Sequence, residues 1–289
     1  MLAAIRDLLR NDNRFRFGAV IVLATLIMIA VAIASDYNPR ARRVVPRNLT
    51  PSLEYPLGTN ARGQDIFMQL TFAVGNTLVI GVIASGFSRV FALIIGLVSG
   101  YVGGKTDRII STVADSFIVM PRLPLLILIS FAVREQLTLV NLALILGILD
   151  WAWPGRRYRS QVLSLREHEF TRTAEFAGMN TTKVIAREHF PFLVPFLMAD
   201  FISGILWAIT MEVTLAVLGL ADLTLPTIGT MVYWANYHQA FLLGHWSWIF
   251  SPIVAAILII LALYLLSASI SQYLDPRTRV QLIKTRAGG

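Results

Sequence analysis

The sequence contains no cysteine, and only 15% of its 289 residues are charged. The absence of cysteine excludes disulfide-bonded scaffolds, thiol catalysis, iron–sulfur clusters and cysteine-ligated zinc sites. Soluble proteins carry about 25% charged residues, and one core of ordinary size cannot bury the 56% that are hydrophobic here. Together with a mean hydropathy of +0.65, this predicts an all-α membrane protein that crosses the bilayer several times.

Apolar stretches of about 20 residues mark the expected membrane spans. Six are predicted, over residues 17–34, 74–101, 109–133, 137–153, 195–220 and 248–269. Most of the 25 Lys and Arg residues lie on one side if both termini are cytoplasmic, an orientation that the positive-inside rule favours. The first external loop departs from that rule, because it holds five arginines: Arg40, Arg42, Arg43, Arg47 and Arg62.

A polar stretch with four prolines, residues 36–69, separates the first span from the others. Proline fixes φ and lacks an amide hydrogen, so we expect an ordered loop or a plain connector here rather than a helix. We therefore divide the chain into an N-terminal segment with the first span, residues 1–70, and a core of five spans, residues 71–289.

No arrangement of residues typical of an enzyme or of a nucleotide site is present. The Gly104-Lys105-Thr106 tripeptide lacks the earlier glycine of a phosphate-binding loop, because Ser99 stands at that position. The four histidines show no metal-ligand spacing, and no serine occupies a hydrolase elbow. We expect no catalytic residue, no metal and no cofactor bound by this chain, which argues against a membrane enzyme.

Charged residues inside apolar spans are costly, at about 2.5–3.5 kcal/mol each on insertion scales, and therefore mark candidate functional positions. Asp150 and Asp200 are expected near cytoplasmic ends, in contact with headgroup water. Arg89 lies within its span and is expected to pair with an acid on a neighbouring helix, for which Asp115 is a candidate.

Glu212 lies deepest in its span and is flanked by Trp207 and Met211. These three residues and Asp115 are the candidates for lining a transport pathway, and a helix-pairing role for Glu212 is equally open. A self-sufficient channel or proton-coupled carrier that uses Asp115, Arg89 and Glu212 is one alternative function.

The most informative segment is the polar stretch between the fourth and fifth spans, residues 156–195. Residues 167–177 contain neither Gly nor Pro and favour a short helix, with Gly178 suited to the position just after its end. One face of this helix is predicted to carry the apolar residues Phe170, Ala174 and Ala177. Such a helix between two spans has the shape to dock into a groove on a soluble partner.

This segment resembles the EAA loop of type I ABC importer permeases. That loop has a three-residue head, three further residues, a glycine and a later proline, here residues 172–174, Gly178 and Pro191. Arg172 stands where the family has a Glu, Thr173 where it has an Ala, and Phe190 where it has a Leu.

Four other segments resemble, in the expected order, the C-type subunit of the dipeptide and oligopeptide permeases. They are an external motif, a turn after the second span, a fifth-span signature and a C-terminal end: residues 55–65, 100–108, 212–220 and 274–277. The resemblance implies the type I permease fold with six spans, in a bacterial or archaeal cytoplasmic membrane.

The resemblance also implies the partners. These are membrane lipid, a second homologous permease subunit, two ATPase subunits that bind ATP and Mg, and an external substrate-binding protein, with no nucleic acid. The short helix would be the coupling helix, and its ATPase contacts would be Glu169, Phe170, Arg172, Thr173, Ala174, Ala177 and Gly178.

The expected cargo depends on residues 225–235, which depart from the peptide-type pattern because Ile228 stands where that pattern has a Trp. This stretch is more similar to family members that carry oligosaccharides of the β-glucoside or cellobiose type. The external aromatic residues could stack on sugar rings or form an interfacial belt: Tyr233, Trp234, Tyr237, Trp246 and Trp248. An oligosaccharide is therefore the expected cargo, with dipeptides or oligopeptides as the alternative.

Overall fold

The computed structural model describes residues 2–274, and no β-strand occurs among them. Most of this part of the chain is α-helical, in the order α1 Leu2–Asn11, α2 Asn13–Ala34, α3 Ile66–Val102, α4 Gly104–Val119, α5 Arg122–Ala132, α6 Leu139–Asp150, α7 Ala152–Arg166, α8 Glu169–Phe176, α9 Thr181–Val184, α10 Phe190–Val217, α11 Ile228–Tyr237 and α12 Trp246–Leu274. Of the predicted C-terminal motif, residues 274–277, only Leu274 is among the described residues. The all-α prediction is confirmed for the described part.

The central helix is α3, whose 37 residues span about 55 Å at 1.5 Å per residue. It begins at Ile66, earlier than the predicted residue 74, because Asp65 caps it: the Asp65 carboxylate accepts hydrogen bonds from the N–H groups of Phe67 and Met68. Helices α6, α7 and α10 pack around α3, and residues of α3 belong to each of the three hydrophobic clusters of the core.

Two small residues bring α3 and α7 into close contact. Gly96 and Gly100 lie one turn apart on α3, and a Cβ at Gly96 would stand 2.7 Å from the Cβ of Tyr158. A Cβ at Gly100 would likewise stand 2.7 Å from a methyl carbon of Val162. This small-xxx-small spacing lets the two backbones approach as membrane helices commonly do.

Four helices are long and apolar enough to cross a membrane: α2, α3, α10 over Phe196–Val217, and α12 over Trp246–Tyr273. The multi-pass prediction is confirmed, but the count of six is not reproduced within residues 2–274. The predicted third span is broken into α4 and α5, which meet at an angle of 86° near Pro121. The predicted fourth span contains α6 of 12 residues, about 18 Å long and shorter than the roughly 30 Å hydrocarbon core.

Residues 36–65 of the proline-rich stretch form a loop without helix, as predicted, whereas residues 66–69 belong to the first turn of α3. Buried polar side chains hold the loop in place. The Thr59 hydroxyl donates to Pro46 O at 2.6 Å and accepts from Leu49 N–H at 2.9 Å. The Asn60 side-chain oxygen accepts from Gln64 N–H at 3.0 Å, and the Gln64 amide donates to Ala41 O at 2.8 Å. The segment at residues 55–65 therefore orders the loop.

Candidate functional site

The predicted short helix between α7 and α10 is present as α8, which begins at Glu169 and ends at Phe176. Gly178 adopts φ of +84°, which favours glycine, just after the helix end. Its N–H bonds to Glu175 O at 2.9 Å, and Met179 N–H bonds to Ala174 O at 3.1 Å. These two bonds form a Schellman motif, so the predicted glycine end of the helix is confirmed.

The inner side of α8 is fastened to the rest of the chain through a buried histidine. The Thr171 hydroxyl donates to Leu165 O at 2.7 Å, so its oxygen accepts from His189 Nε2–H at 2.8 Å. The other ring nitrogen, Nδ1, then accepts from the Tyr101 hydroxyl at 2.6 Å. Because Tyr101 lies in the last turn of α3, this chain of bonds joins α8 to the end of the central helix.

Of the three residues predicted to form the apolar face of α8, Ala174 and Phe170 are turned toward the rest of the chain and Ala177 is not. Ala174 is buried against the chain itself, Phe170 stacks on Phe192 with ring centroids 5.3 Å apart, and Ala177 is an exposed residue of the helix cap. The apolar side chain that does face outward is Phe176, which is 92% exposed. A spacing of i, i+4 and i+7 identifies a face but not which side of the helix the rest of the protein covers.

The outward side of α8 is otherwise polar. Its exposed residues besides Phe176 are Glu169, Arg172, Thr173 and Glu175. Arg172, which stands where the EAA loop of type I ABC importer permeases has a Glu, forms an exposed ion pair with Glu167 at 3.4 Å. Such a surface pair contributes little to stability, so Arg172 is available to an incoming partner.

A buried ion network, which we call the Arg89 network, lies inside the helix bundle. Arg89 of α3 contacts the carboxylate of Asp150 at the end of α6 and that of Asp200 in α10, the latter at 3.0 Å. Asp150 also pairs with Arg122 at 3.0 Å, and Asp200 pairs with Arg157. The network thus joins α3, α5, α6, α7 and α10.

The Arg89 network corrects three predictions. Asp150 and Asp200 are buried rather than exposed to headgroup water, because each is matched by two arginines. Asp115 is not the partner of Arg89: it pairs with Arg156 at 2.8 Å, and both side chains are about half exposed. The expectation that Arg89 pairs with an acid on a neighbouring helix is confirmed.

Glu212 is fully buried in α10, beside the hydroxyl groups of Thr77 and Thr227. The neighbouring hydroxyls of Thr77 and Thr227 accept bonds from the N–H groups of Ile228 and Thr230. Glu212 therefore does not face an open pathway in this conformation, and its pathway role stays a prediction.

Trp207 and Met211, the other pathway candidates in α10, pack against the cluster formed by α3, α6 and α10. The Arg122 guanidinium lies over the Trp207 ring, 5.4 Å from its centroid. Trp207 therefore adjoins the Arg89 network. Among residues 2–274, no group of three or more His, Asp or Glu is placed to hold a metal ion.

The external aromatic residues lie near the other end of α3, and they differ in how accessible they are. Trp248 is only 2% exposed and packs in the core, and Trp234 lies beneath the guanidinium of Arg62 at 4.3 Å from its centroid. Tyr237 and Trp246 are exposed. The five residues thus do not form one open stacking surface.

Residues 92–280 match the family model described as "Binding-protein-dependent transport system inner membrane component". The chain belongs to this family. It is an inner-membrane permease of the ABC importer class, which agrees with the resemblance found in the sequence.

Curated members of the binding-protein-dependent family align with most of the chain. It is 29% identical to the oligopeptide transport system permease protein OppC of Mycobacterium tuberculosis over 79% of this chain and 78% of that protein. The dipeptide transport system permease protein DppC of Bacillus subtilis is 25% identical over 93% and 84%. The nickel transport system permease protein NikC of Escherichia coli is 28% identical over 89% and 92%.

We predict that Asp200→Asn destabilises this permease far more than Asp115→Asn does. The first change removes the buried carboxylate that Arg89 and Arg157 share, so that Arg89 keeps only Asp150 and Arg157 loses its partner, and it should lower the free energy of unfolding by about 3–5 kcal/mol. The second breaks a half-exposed pair and should cost about 0–1 kcal/mol. Denaturant unfolding in detergent micelles, followed by tryptophan fluorescence, measures both, and equal small losses would contradict the Arg89 network.

A second prediction concerns the attachment of α8. Burial lowers the pKa of His189 below its ordinary value of 6.5. The unfolded histidine therefore takes up a proton first, so its contribution to stability is present above about pH 6.5 and declines as the pH falls below that value. Amide hydrogen exchange over residues 169–176, corrected for the intrinsic rate, should accelerate on acidification.

The matched pair of variants for this measurement is His189→Phe and His168→Phe. The first removes both ring nitrogens that hold Thr171 and Tyr101, and should accelerate exchange in α8 at neutral pH while abolishing the pH effect. The second changes an exposed histidine stacked on Phe170 and should leave exchange unaltered. Identical exchange in the two variants would refute the attachment.

Proposed function

We propose that the chain is one of two membrane subunits of an ATP-driven importer and that its cargo is a dipeptide or short oligopeptide. The observation that carries this proposal is α8, a short helix with an outward surface and an inner side bonded to the end of α3. The assembled importer also contains a second permease subunit, two ATPase subunits that bind ATP and Mg, and an external binding protein. Both termini and α8 lie on the cytoplasmic side, and the chain itself binds no cofactor.

Peptides replace oligosaccharides as the favoured cargo for two reasons. The relatives found are named as oligopeptide, dipeptide and nickel permeases, which supports the peptide alternative over the oligosaccharide expectation. The aromatic residues also offer less to a sugar ring than the sequence suggests, because Trp248 is buried and Arg62 covers one face of Trp234.

The proposed ATPase contact is the outward surface of α8. Phe176 is its apolar centre, and Glu169, Arg172, Thr173 and Ala177 surround it. Phe170, Ala174 and Gly178, which the resemblance also implicates, act by holding and ending the helix, because two of them face inward and the third forms its end. An exposed aromatic side chain with a polar rim is the typical anchor of a protein interface.

Reconstitution with the partner subunits in proteoliposomes tests this function. We expect ATP-dependent uptake of a labelled tripeptide and none of cellobiose or Ni²⁺. Phe176→Ala should weaken ATPase association by about 2 kcal/mol or more, as truncation of a central aromatic anchor does, and uptake should fall with it. Phe241→Ala, which truncates a half-exposed phenylalanine near the opposite end of α3, is the matched control.

Uptake of cellobiose or Ni²⁺ without the tripeptide would overturn the proposed cargo. Normal ATPase association by the Phe176→Ala variant would overturn the proposed contact, whatever the cargo. Uptake by the chain alone, without nucleotide, would favour a self-sufficient carrier.

A further inference from the structure

A small polar cleft, which we call the outer cleft, lies near the start of α3. It is formed by the loop before α3, the segment before α11 and α11 itself, and its lining includes Asn60, Arg62, Gln69, Thr224 and Trp234. Asn76 at the outer part of α3 donates to Pro226 O at 2.7 Å, which fixes the segment before α11 to this end of the helix. The outer cleft and α8 thus lie at opposite ends of α3, about 50 Å apart at 1.5 Å per residue.

Arg62 is held in the outer cleft in a fixed geometry. Its backbone N–H donates to the Asn60 side-chain oxygen at 2.9 Å, and its guanidinium lies over the Trp234 ring at 4.3 Å from the centroid. The Trp234 ring is itself fixed, because its Nε1–H donates to Leu223 O at 3.1 Å. The cation and the aromatic face below it are therefore positioned before any ligand arrives.

The charge of Arg62 is not balanced by the chain. Its Nε atom is inaccessible to solvent and has no hydrogen-bond partner within residues 2–274, and no carboxylate in that part of the chain forms an ion pair with Arg62 or Arg42. A second cation stands close by, since the Arg42 guanidinium is 5.8 Å from the same Trp234 ring. Burial, assisted by the charge of Arg42, lowers the pKa of Arg62 to about 10.

Two acids that border the segments forming the outer cleft, Asp65 and Asp222, accept hydrogen bonds from groups next to them in the sequence. Asp65 caps α3 by accepting from the N–H groups of Phe67 and Met68. Asp222 accepts from the N–H of Thr224 at 2.9 Å and from its hydroxyl at 2.7 Å. A half-buried cation beside another cation, with no ion pair to either within residues 2–274, is a site that an added anion would stabilise.

We propose that the outer cleft is a carboxylate-binding subsite, in which Arg62 on Trp234, with Arg42 beside it, receives a free carboxylate of the incoming solute. The choice of a solute rests on the proposed function, because every unmodified peptide carries a C-terminal carboxylate. Arg62 lines a small cleft, which suits a terminal carboxylate of a small flexible molecule better than a folded protein surface. The subsite would also explain why Arg42 and Arg62 lie in the first external loop, where the positive-inside rule does not favour arginine.

Direct binding is measured first, in the assembled transporter labelled with 5-fluorotryptophan, with acetate as the probe. The Trp234→Phe variant assigns the fluorine resonance of Trp234. We expect acetate to shift this resonance, and acetamide, which has the same size without the charge, to leave it in place. The shift should disappear in Arg62→Gln and persist in Arg47→Gln, a change at an exposed arginine of the same loop.

Transport is measured second, with a tripeptide and its C-terminal amide. Loss of a charge-assisted hydrogen bond is expected to reduce uptake of the free acid by Arg62→Gln by about tenfold or more and to leave the amide little changed. Arg62→Lys keeps the positive charge but lacks the planar guanidinium that can form two parallel hydrogen bonds, so it should retain part of the preference for the free-acid tripeptide over its amide. This variant also covers the case in which Arg62→Gln fails to assemble.

An acetate shift that is absent, or that persists in Arg62→Gln, would overturn the subsite whether or not peptides are the cargo. Equal loss of acid and amide uptake, with weaker docking of the binding protein to the transporter in nanodiscs, would assign Arg62 to protein docking and overturn the solute proposal. If the wild-type transporter moves neither peptide while acetate binds at Arg62, the proposed cargo fails and the subsite stands.

Discussion

The pairing of Arg89 with two buried aspartates is the constraint on which the arrangement of the helices depends. Charges in a medium of low dielectric are tolerated only when matched and hydrogen-bonded, so Asp150 and Asp200 each require their arginines at fixed positions. Since Asp150 and Asp200 lie 61 and 111 residues from Arg89 in the sequence, satisfying this network sets how α3, α6, α7 and α10 lie against one another. The close contact of α7 with Gly96 and Gly100 further restricts the position of α7 against α3, and the same helix supplies Arg157 to the network.

This network connects the membrane bundle to the helix proposed to contact the ATPase. Helix α7 joins the network in its first turns and leads directly to α8, while His189 and Thr171 fasten α8 back to the end of α3. The two connections attach α8 to the ends of α3 and α7, and we expect the three to move as one rigid unit. A rigid connection is what an importer needs if ATP binding at one end is to change access at the other, where the outer cleft lies.

Sequence reasoning recovered the features that depend on local pattern and missed those that depend on distant partners. Apolar length predicted the membrane class, and Gly178 predicted the end of α8, because both follow from nearby residues. The partners of Arg89 were missed because Asp150 and Asp200 are 61 and 111 residues away and no local pattern indicates which acids meet it. The 86° break at Pro121 and the shortness of α6 altered the span count, since apolar composition does not reveal where a helix turns. Phe176 was overlooked because only the packing of Thr171 and Ala174 defines which side of α8 faces outward.

The central claim is that α8 and the membrane bundle move as one body when ATP binds. The absence of cysteine from this chain makes it suitable for spin labelling, because labels attached at new cysteines meet no native thiol of the same chain. One label is attached at Lys183→Cys, on α9 beside α8, and the other at Arg108→Cys, on α4; both positions are exposed. The distance between these two labels is measured in the assembled transporter. The account predicts the same distance in the nucleotide-free and ATP-trapped states, while the distance from position 183 to a label on the partner permease changes. A shift or broadening of the distance between positions 183 and 108 on ATP binding would contradict it.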